Sequence, residues 1–398
     1  MEHNGTMAPS LGIAVTDRFA LRLSAFYAAF FVYGGMSLPF LPVWLRAKGL
    51  DAREIGLVLA APLIVRLIVV PLSTRLADRF AVLRGALIAA ATASVAGFAI
   101  LGVSSGFLLI LAAMSLASVA WTPLLPLGDA YALRGLMERR RAYGPVRLWG
   151  SVSFIAANFG GGLVLELAGA GNLIWAFVAA QTLTAAAAFW LLPLTPERSS
   201  PVPTGRPAKS LWQMPVFLCV VSAASLIQSS HAVMYGFATL QWAARGLEGP
   251  AIGMLWGLGV VAEICLFAVS GRLVPALGGI EMIALGGVGA VIRWGAMALD
   301  PPTALLPALQ CLHALSFGAT HLGTMHVLAR FAPRGQGAAA QGDFVAVQGL
   351  TFAAAMGGAG LLVEAYGTSA YAAMALVAAA GSAIAVIARQ CWRDAAPT

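Results

Sequence analysis

Residues 49–66 read GLDAREIGLVLAAPLIVR, and residues 246–263 read GLEGPAIGMLWGLGVVAE. An offset of 197 carries Gly49 onto Gly246, Leu50 onto Leu247, Ile55 onto Ile252 and Gly56 onto Gly253. The same offset carries Arg75-Leu76 onto Arg272-Leu273. An offset of 198 then pairs Phe154 with Phe352, Gly160 with Gly358, Gly162 with Gly360 and Glu166 with Glu364. Any single identity is commonplace in Gly- and Ala-rich sequence. A steady offset over several segments is not, and it marks the chain as two parallel copies of one unit.

What surrounds the repeat is membrane sequence. Hydrophobic residues make up 60% of the 398 positions, charged residues 10%, and the mean hydropathy is +0.85. A soluble domain carries about 25% charged residues, so this chain cannot keep a solvated surface. Apolar runs recur from Phe19 to Trp392, each near the ~20 residues that cross a bilayer as a helix. Backbone groups in lipid must be paired within the segment, and the runs do not alternate with period two, which excludes a β-barrel. Twelve spans are expected, at 19–45, 55–76, 84–103, 107–133, 145–167, 172–192, 215–243, 251–272, 281–299, 303–330, 343–365 and 369–391. Residues 1–16 lack the charged start, apolar core and cleavage site of a signal peptide, so the first span is expected in the mature protein. Cys219, Cys265, Cys311 and Cys391 all fall in apolar runs and read as small buried hydrophobes. No disulfide framework, metal site or cofactor is expected from them.

Lys and Arg orient the chain. Of 24, the segments on the side of the amino terminus hold 18 and the opposite loops hold only Arg46, Lys48, Arg53 and Arg245. Arg66 and Arg293 are left within the membrane. The positive-inside rule then puts both termini in the cytoplasm of a multi-pass inner (plasma) membrane protein. The net charge of +8 therefore reports topology, and no soluble basic face exists for nucleic acid. The connection 193–214, PLTPERSSPVPTGRPAKSLWQM, has the Pro- and Ser-rich character of a linker. The expected organisation is a tail at 1–18, a six-helix bundle at 19–192, the linker, a second bundle at 215–391 and a tail at 392–398.

Charges within the membrane are the chemically informative residues, because each costs about 2.5–3.5 kcal/mol to insert and so faces a cavity or a partner. Arg66 lies mid-span 2 and Glu263 at the repeat-related place in span 8, where the two can face each other across a central cavity. Arg293 lies mid-span 9 and His313 mid-span 10. Asp129 is in the cytoplasmic part of span 4 and Arg147 at the start of span 5. Blander readings stand beside these. Arg66–Glu263 or Arg293–Glu263 is equally a structural ion pair that only neutralises charge. Arg147 is placed to snorkel to lipid phosphates, and Asp129 to brace a helix end interrupted by Pro123 and Pro126. In span 10, Gln310, His313, Phe317 and His321 share one helical face, with His326 on another; in span 7, Gln228, His231 and Tyr235 share a face. Polar stripes of this kind suit a cavity lining. His and Glu are the side chains whose proton affinity small changes in hydration move through neutral pH, which makes Glu263 and His313 the proton-coupling candidates.

SLPFLPVWL (37–45), RLADR (75–79), PLLPLGDA (123–130), YGPVRLWGSV (143–152), Glu263, IRW (292–294) and LHALSFGATHL (312–322) together resemble the major facilitator superfamily. Within it they are most similar to the phenylpropionate permease branch of proton symporters, near lactose permease and the nucleoside–proton symporters. The resemblance implies an all-α membrane fold of two pseudo-symmetric six-helix bundles, without enzymatic chemistry and functional as a monomer. It implies a gate in which Asp78 and Arg79 brace one state through charge pairs and a helix dipole, joined by Asp129 and Arg147. Thr74 stands where that signature opens with Gly, and Arg84 alone where it has a second basic pair. Lactose permease places substrate and proton on groups matched here by Asp129, Arg147, Glu263, Arg293 and His313. Ser316 replaces the sugar symporter's acid three residues after His313, which argues against a sugar. The GP-then-GG pattern of drug exporters is also absent from 158–162, which reads Asn-Phe-Gly-Gly-Gly.

The expected function is proton-coupled symport of a small aromatic carboxylate. Arg66 or Arg293 would hold the carboxylate, with Trp121, His231, Tyr235 and Phe317 lining the cavity, and protonation of Glu263 with His313 would let the halves rock. The alternatives are a nucleoside or sugar symporter, an exporter, and a non-transporting membrane sensor. No HExxH helix or GxSxG turn suggests an intramembrane enzyme.

Overall fold

The computed structural model describes the backbone at residues 18–80, 82–194, 211–332 and 337–395, and side chains there except at 78–80, 331, 337–339 and 392–395. The gating candidates Asp78 and Arg79 thus lie outside the described side chains. The first bundle comprises α1 (Arg18–Ala47), α2 (Ala52–Phe80), α3 (Leu83–Val103), α4 (Phe107–Trp121), α5 (Leu124–Glu138), α6 (Gly144–Ala168) and α7 (Leu173–Trp190). The second comprises α8 (Pro215–Ser229), α9 (Ala232–Ala244), α10 (Gly249–Leu277), α11 (Gly279–Ala298), α12 (Leu306–Cys311), α13 (Thr320–Phe331), α14 (Gly337–Tyr366) and α15 (Ala370–Ala395). Ten stretches are long and apolar enough to cross a bilayer. One of these, Ala340–Cys391, is two helices joined at Gly367–Ser369, and the interrupted α12–α13 run completes twelve crossings among the described residues.

The sequence repeat is also a repeat of backbone. Gly49 and Gly246, which the offset superimposes, both turn the chain with positive φ, +88° and +84°, a conformation that is costly for any side chain with a Cβ. Asp51 then caps α2 with Glu54 in a reciprocal box: Glu54 N–H donates to Asp51 Oδ1 at 2.8 Å, and Asp51 N–H to Glu54 Oε2 at 3.1 Å. That box starts the helix at Ala52, three residues before the expected span.

Three expected continuous spans are broken. Span 4 breaks at Thr122-Pro123, where proline cannot continue the hydrogen-bond ladder. Span 7 breaks between Ser229 and Ala232. Span 10 passes through a π-helical turn, Ala314–Ala319. Across from it, Gly286 and Gly289 of α11 let the backbone and side chain of Leu315 approach closely. Such π turns recur at functional sites.

The two bundles touch at the end that carries the α1–α2 and α9–α10 turns. There Gly56 of α2 abuts Met356 and Gly360 of α14, while Gly162 and Asn158 of α6 abut Gly249 and Gly253 of α10. The α9 half of span 7 reaches across to α1 and α2, whereas the α8 half packs on α11, α13, α14 and α15 of its own bundle. Along α2 the contact descends to Leu67, which meets Gly349. Two turns from Gly349, on the same face of α14, a Cβ at Gly342 would meet nothing, and the same holds at Gly271, on the face of α10 that carries Gly253 and Gly257. The result is a cleft closed at the turn end and parted toward the termini.

Closure at that end depends on the absence of side chains. A branch on Gly253 would collide with the Asn158 carbonyl. Gly253→Val is therefore expected to hold the turn end open. With the native cysteines replaced, a cysteine at Leu38 should react with an impermeant thiol reagent added on the turn side in this variant. In the parent it should stay protected.

Candidate functional site

The cluster that matters is built where α11 lies closest to span 10. Gly279, Gly286 and Gly289 let α11 press against residues 315–327, which aims Arg293 at the start of the π turn. Arg293 is 1% exposed. It donates to Gln310 Oε1 at 2.5 Å, to Ser316 Oγ at 3.3 Å and toward His313 Nδ1 at 3.3 Å, and its guanidinium sits 4.7 Å from the Trp294 ring centre. No carboxylate contacts it among the described residues. On the other side of the imidazole, His313 Nε2 lies 3.5 Å from Glu263 Oε2. Guanidinium only donates, so Nδ1 accepts and the imidazole proton belongs on Nε2, pointing at Glu263. That tautomer follows from the network. The order is Arg293, neutral His313, Glu263.

Gly259 makes the third approach possible, since it lets α10 come against His313 and the Gln310 carbonyl one turn before Glu263. A cavity of about 30 Å³ remains among Leu38 of α1, Tyr235, Trp256, Arg293, Gln310 and His313, room for about one water. It joins the first bundle to the charged cluster of the second. Around it the walls are aromatic. Tyr235 packs on Trp256 and Phe352, each with ring centres 5.8 Å apart, and His313, Phe317 and His321 stack in sequence at 5.1 and 6.1 Å.

The structure brings together five of the expected residues, Glu263, Arg293, His313, Phe317 and Tyr235, and places the others differently. Neither the Arg66–Glu263 nor the direct Arg293–Glu263 pair forms; Glu263 meets His313, because the π turn inserts that imidazole between the two charges. Arg66 is exposed and makes no ion pair among the described residues. It lies beside Leu67, which still meets Gly349 of α14. His231 is fully buried and lines no open surface. It sits at the break in span 7, with Nε2 3.1 Å from Ser316 Oγ and Nδ1 3.1 Å from the Gln228 carbonyl, and its ring packs against Trp294 at 4.9 Å. Its position is behind the wall, holding Ser316, which in turn holds Arg293. His326 is exposed on another face, as the spacing predicts.

In the first bundle Trp121 is half-buried, stacked on Phe30 at 6.0 Å and edge-on to Tyr33 at 5.1 Å. Asp129 braces three helices: Tyr27 of α1 donates to its Oδ1 at 2.6 Å, and Tyr143, just before α6, donates at 2.8 Å. Arg147 does not pair with Asp129; its guanidinium lies 4.1 Å from the Phe31 ring centre and 5.5 Å from that of Tyr27, a cation–π arrangement. Trp256 escaped the sequence reading, and Trp294 entered it only as part of the IRW motif. Trp294 donates to Ser230 Oγ at 2.8 Å and Trp256 to Thr239 Oγ1 at 3.0 Å. A lone Trp in an apolar span carries no signal beyond packing.

Comparison with known proteins agrees with this architecture. The model of the MFS_1 like family matches residues 20–373. The chain is 31% identical over 371 residues to a probable 3-phenylpropionic acid transporter of Escherichia coli strain K12, covering 89% of this chain and 93% of that protein. It is 25% identical to a maltose permease of Geobacillus stearothermophilus, covering 77% and 78%. Among solved structures, a point mutant of the nucleoside transporter NupG superimposes with a TM-score of 0.82 at 16% identity, covering 94% of this chain and 99% of that one. A bacterial homologue of the lysosomal transporter Spinster, inward-facing and unoccupied, gives 0.76 at 14% identity, covering 97% and 99%. At such identities the structures speak to fold alone, while the family match and the E. coli relative speak to kinship. The chain belongs to the MFS_1-like family: it is a multi-pass secondary transporter of the major facilitator class, not an enzyme.

Proposed function

We propose that this transporter imports a small aromatic carboxylate together with a proton. The observation that carries the proposal is Arg293, buried and unmatched by any direct carboxylate, with Glu263 held one imidazole away. With Glu263 ionised and Arg293 charged, the cluster is neutral. Adding a substrate carboxylate leaves one unbalanced negative charge in a dry place, and an uncompensated buried ion costs several kcal/mol. Adding a proton to Glu263 as well restores neutrality. Anion and proton therefore favour each other's binding, and by linkage the coupling is reciprocal. His313 transmits it: once protonated, Glu263 is a neutral and weaker acceptor for the imidazole N–H, and Arg293 is free to turn its fork on the substrate.

The aromatic surroundings support the substrate class. Tyr235, Trp256, Phe317 and Phe352 offer ring faces and edges to an arene whose carboxylate is on Arg293. The curated name of the E. coli relative points to the same chemistry. Ser316 supports it from the other side, for a site bound to a sugar by several hydroxyls would need more free acceptors than neutral Gln310 and Ser316 offer once engaged by Arg293. Arg66, exposed in the cleft wall, would draw the anion in, and Trp121 would line the entry. Asp78, Arg79, Asp129 and Arg147 would serve the gate, Asp129 and Arg147 by fixing α5 and α6 to α1.

The Lys and Arg distribution supports a topology with both termini in the cytoplasm. The closed turn end then faces outward and the cleft opens inward, as in a state that has delivered its load. No second copy is needed to complete the pathway. The test is uptake of labelled 3-phenylpropionate into proteoliposomes, with and without an inside-alkaline pH gradient, against a nucleoside and a disaccharide. Accumulation of the carboxylate alone is the expected result. Gradient-driven accumulation of the nucleoside or sugar instead would overturn the substrate class.

A further inference from the structure

Glu263 has a second imidazole within reach, on the side away from Arg293. His321 stands in the first turn of α13, two helical turns beyond His313 toward the parted end of the cleft. The two histidines are separated by Phe317, stacked nearly parallel to both with interplanar angles of 13° and 8°, and His321 also rests on Phe267 at 6.4 Å. The residue facing the Glu263 side chain between them is Gly318. A Cβ there would stand 3.3 Å from Glu263 Cγ and 3.1 Å from Leu266 Cδ2. The Glu263 arm thus lies across a bare patch of helix, with one imidazole above it and one below. Only the upper one, His313, is in contact in this state. Tyr235 of α9 is a further titratable side chain nearby, on the cavity that His313 also lines. His321 itself packs on Phe267 and Phe317 and is half-buried, unlike His231.

We propose that His321 is the proton carrier between Glu263 and the open end of the cleft. The step is a simple transfer. The Glu263 carboxyl O–H gives its proton to an imidazole nitrogen of His321 once the arm swings across Gly318, and His321 passes it to water at the open end. The carboxylate left behind returns to His313 and resets the neutral Arg293–His313–Glu263 chain. Such a carrier gives the proton on Glu263 a titratable group to leave by once the substrate has gone. This role rests on the symport reading above and adds to it a residue outside the substrate-binding cluster.

The test compares His321→Asn with Glu263→Gln in proteoliposomes, by pH-gradient-driven net uptake of 3-phenylpropionate and by substrate exchange at equal pH. His321→Asn is expected to lower net uptake about tenfold or more, to leave exchange at the parent rate, and to alter the pH profile of net uptake. His321→Glu, which restores a titratable group, is expected to recover part of the loss. Net uptake by His321→Asn at the parent rate and with the parent pH profile would overturn the proposal. Equal loss of exchange and net uptake would also overturn it, since it would mark a structural residue. If Glu263→Gln itself accumulated substrate normally, the symport reading would fall, and His321 with it.

Discussion

Arg293→Gln is expected to lower the affinity for the carboxylate by about two decades, the largest effect of any single change at this site. A charge-assisted fork of two hydrogen bonds is worth about 3 kcal/mol when its partner is buried, and each 1.4 kcal/mol is tenfold. Gln keeps a donor and much of the length but removes the charge that makes the site want an anion. The substitution also leaves Glu263 without a counter-charge nearby, so the carboxyl is expected to stay protonated and the bundle to remain folded. Arg293→Lys separates the two contributions. It restores the charge but not the planar fork that also spans Gln310 and Ser316, so an intermediate loss is expected. Equilibrium binding of labelled 3-phenylpropionate in detergent checks both. Parent affinity in Arg293→Gln would remove the substrate from this cluster altogether.

Glu263→Gln is expected to abolish accumulation while sparing exchange. The amide mimics the protonated carboxyl, so the cluster carries the charge of Arg293 permanently and binds the anion without waiting for a proton. One proton moving with one carboxylate is electrically neutral, and a gradient of one pH unit is worth about 1.4 kcal/mol per proton. The parent protein should therefore concentrate substrate about tenfold per pH unit, and the variant should bring it only to equality. The sign follows from the charge count: raising pH on the substrate-loading side removes the proton from Glu263, adds a negative charge beside the anion, and weakens binding. Exchange, which needs no net proton movement, should run in the variant across the whole pH range. Accumulation by the variant at the parent level would show that the driving proton travels elsewhere.

Much of the fold was legible because it depends on patterns the chain repeats. The stretches at 49–66 and 246–263 meet the same demands in each half, a positive-φ glycine for the turn and Gly56 or Gly253 for close approach of the partner bundle. Apolar length located the spans within a few residues. The breaks were legible only where a local signal exists: Pro123 interrupts span 4, but nothing at Ser230-His231 announces the break in span 7. The π turn at 314–319 packs on glycines of another helix, a setting that periodicity within span 10 cannot sense.

The same boundary divides the site. Helical spacing correctly set His313, Phe317 and His321 on one stripe, because that is a property of one element. It could not tell which side of a wall His231 occupies, since burial there is decided by Trp294 and Ser316 from two other helices. Repeat symmetry suggested that Arg66 and Glu263 face each other. The symmetry relates their positions, whereas the parting of the bundles decides their distance. Glu263 consequently takes the partner its own bundle supplies.

The account stands most directly on the claim that the carboxylate and the proton neutralise one cluster together. The direct measurement is proton uptake on binding: 3-phenylpropionate, already ionised, is added to detergent-solubilised protein in weakly buffered solution near pH 7, and the pH is followed. The parent protein should take up about one proton for each anion bound, by the reciprocal linkage between the two ligands, and Glu263→Gln should take up none. Saturable binding of the anion to the parent protein with no proton uptake at any pH between 6 and 9 would contradict the account.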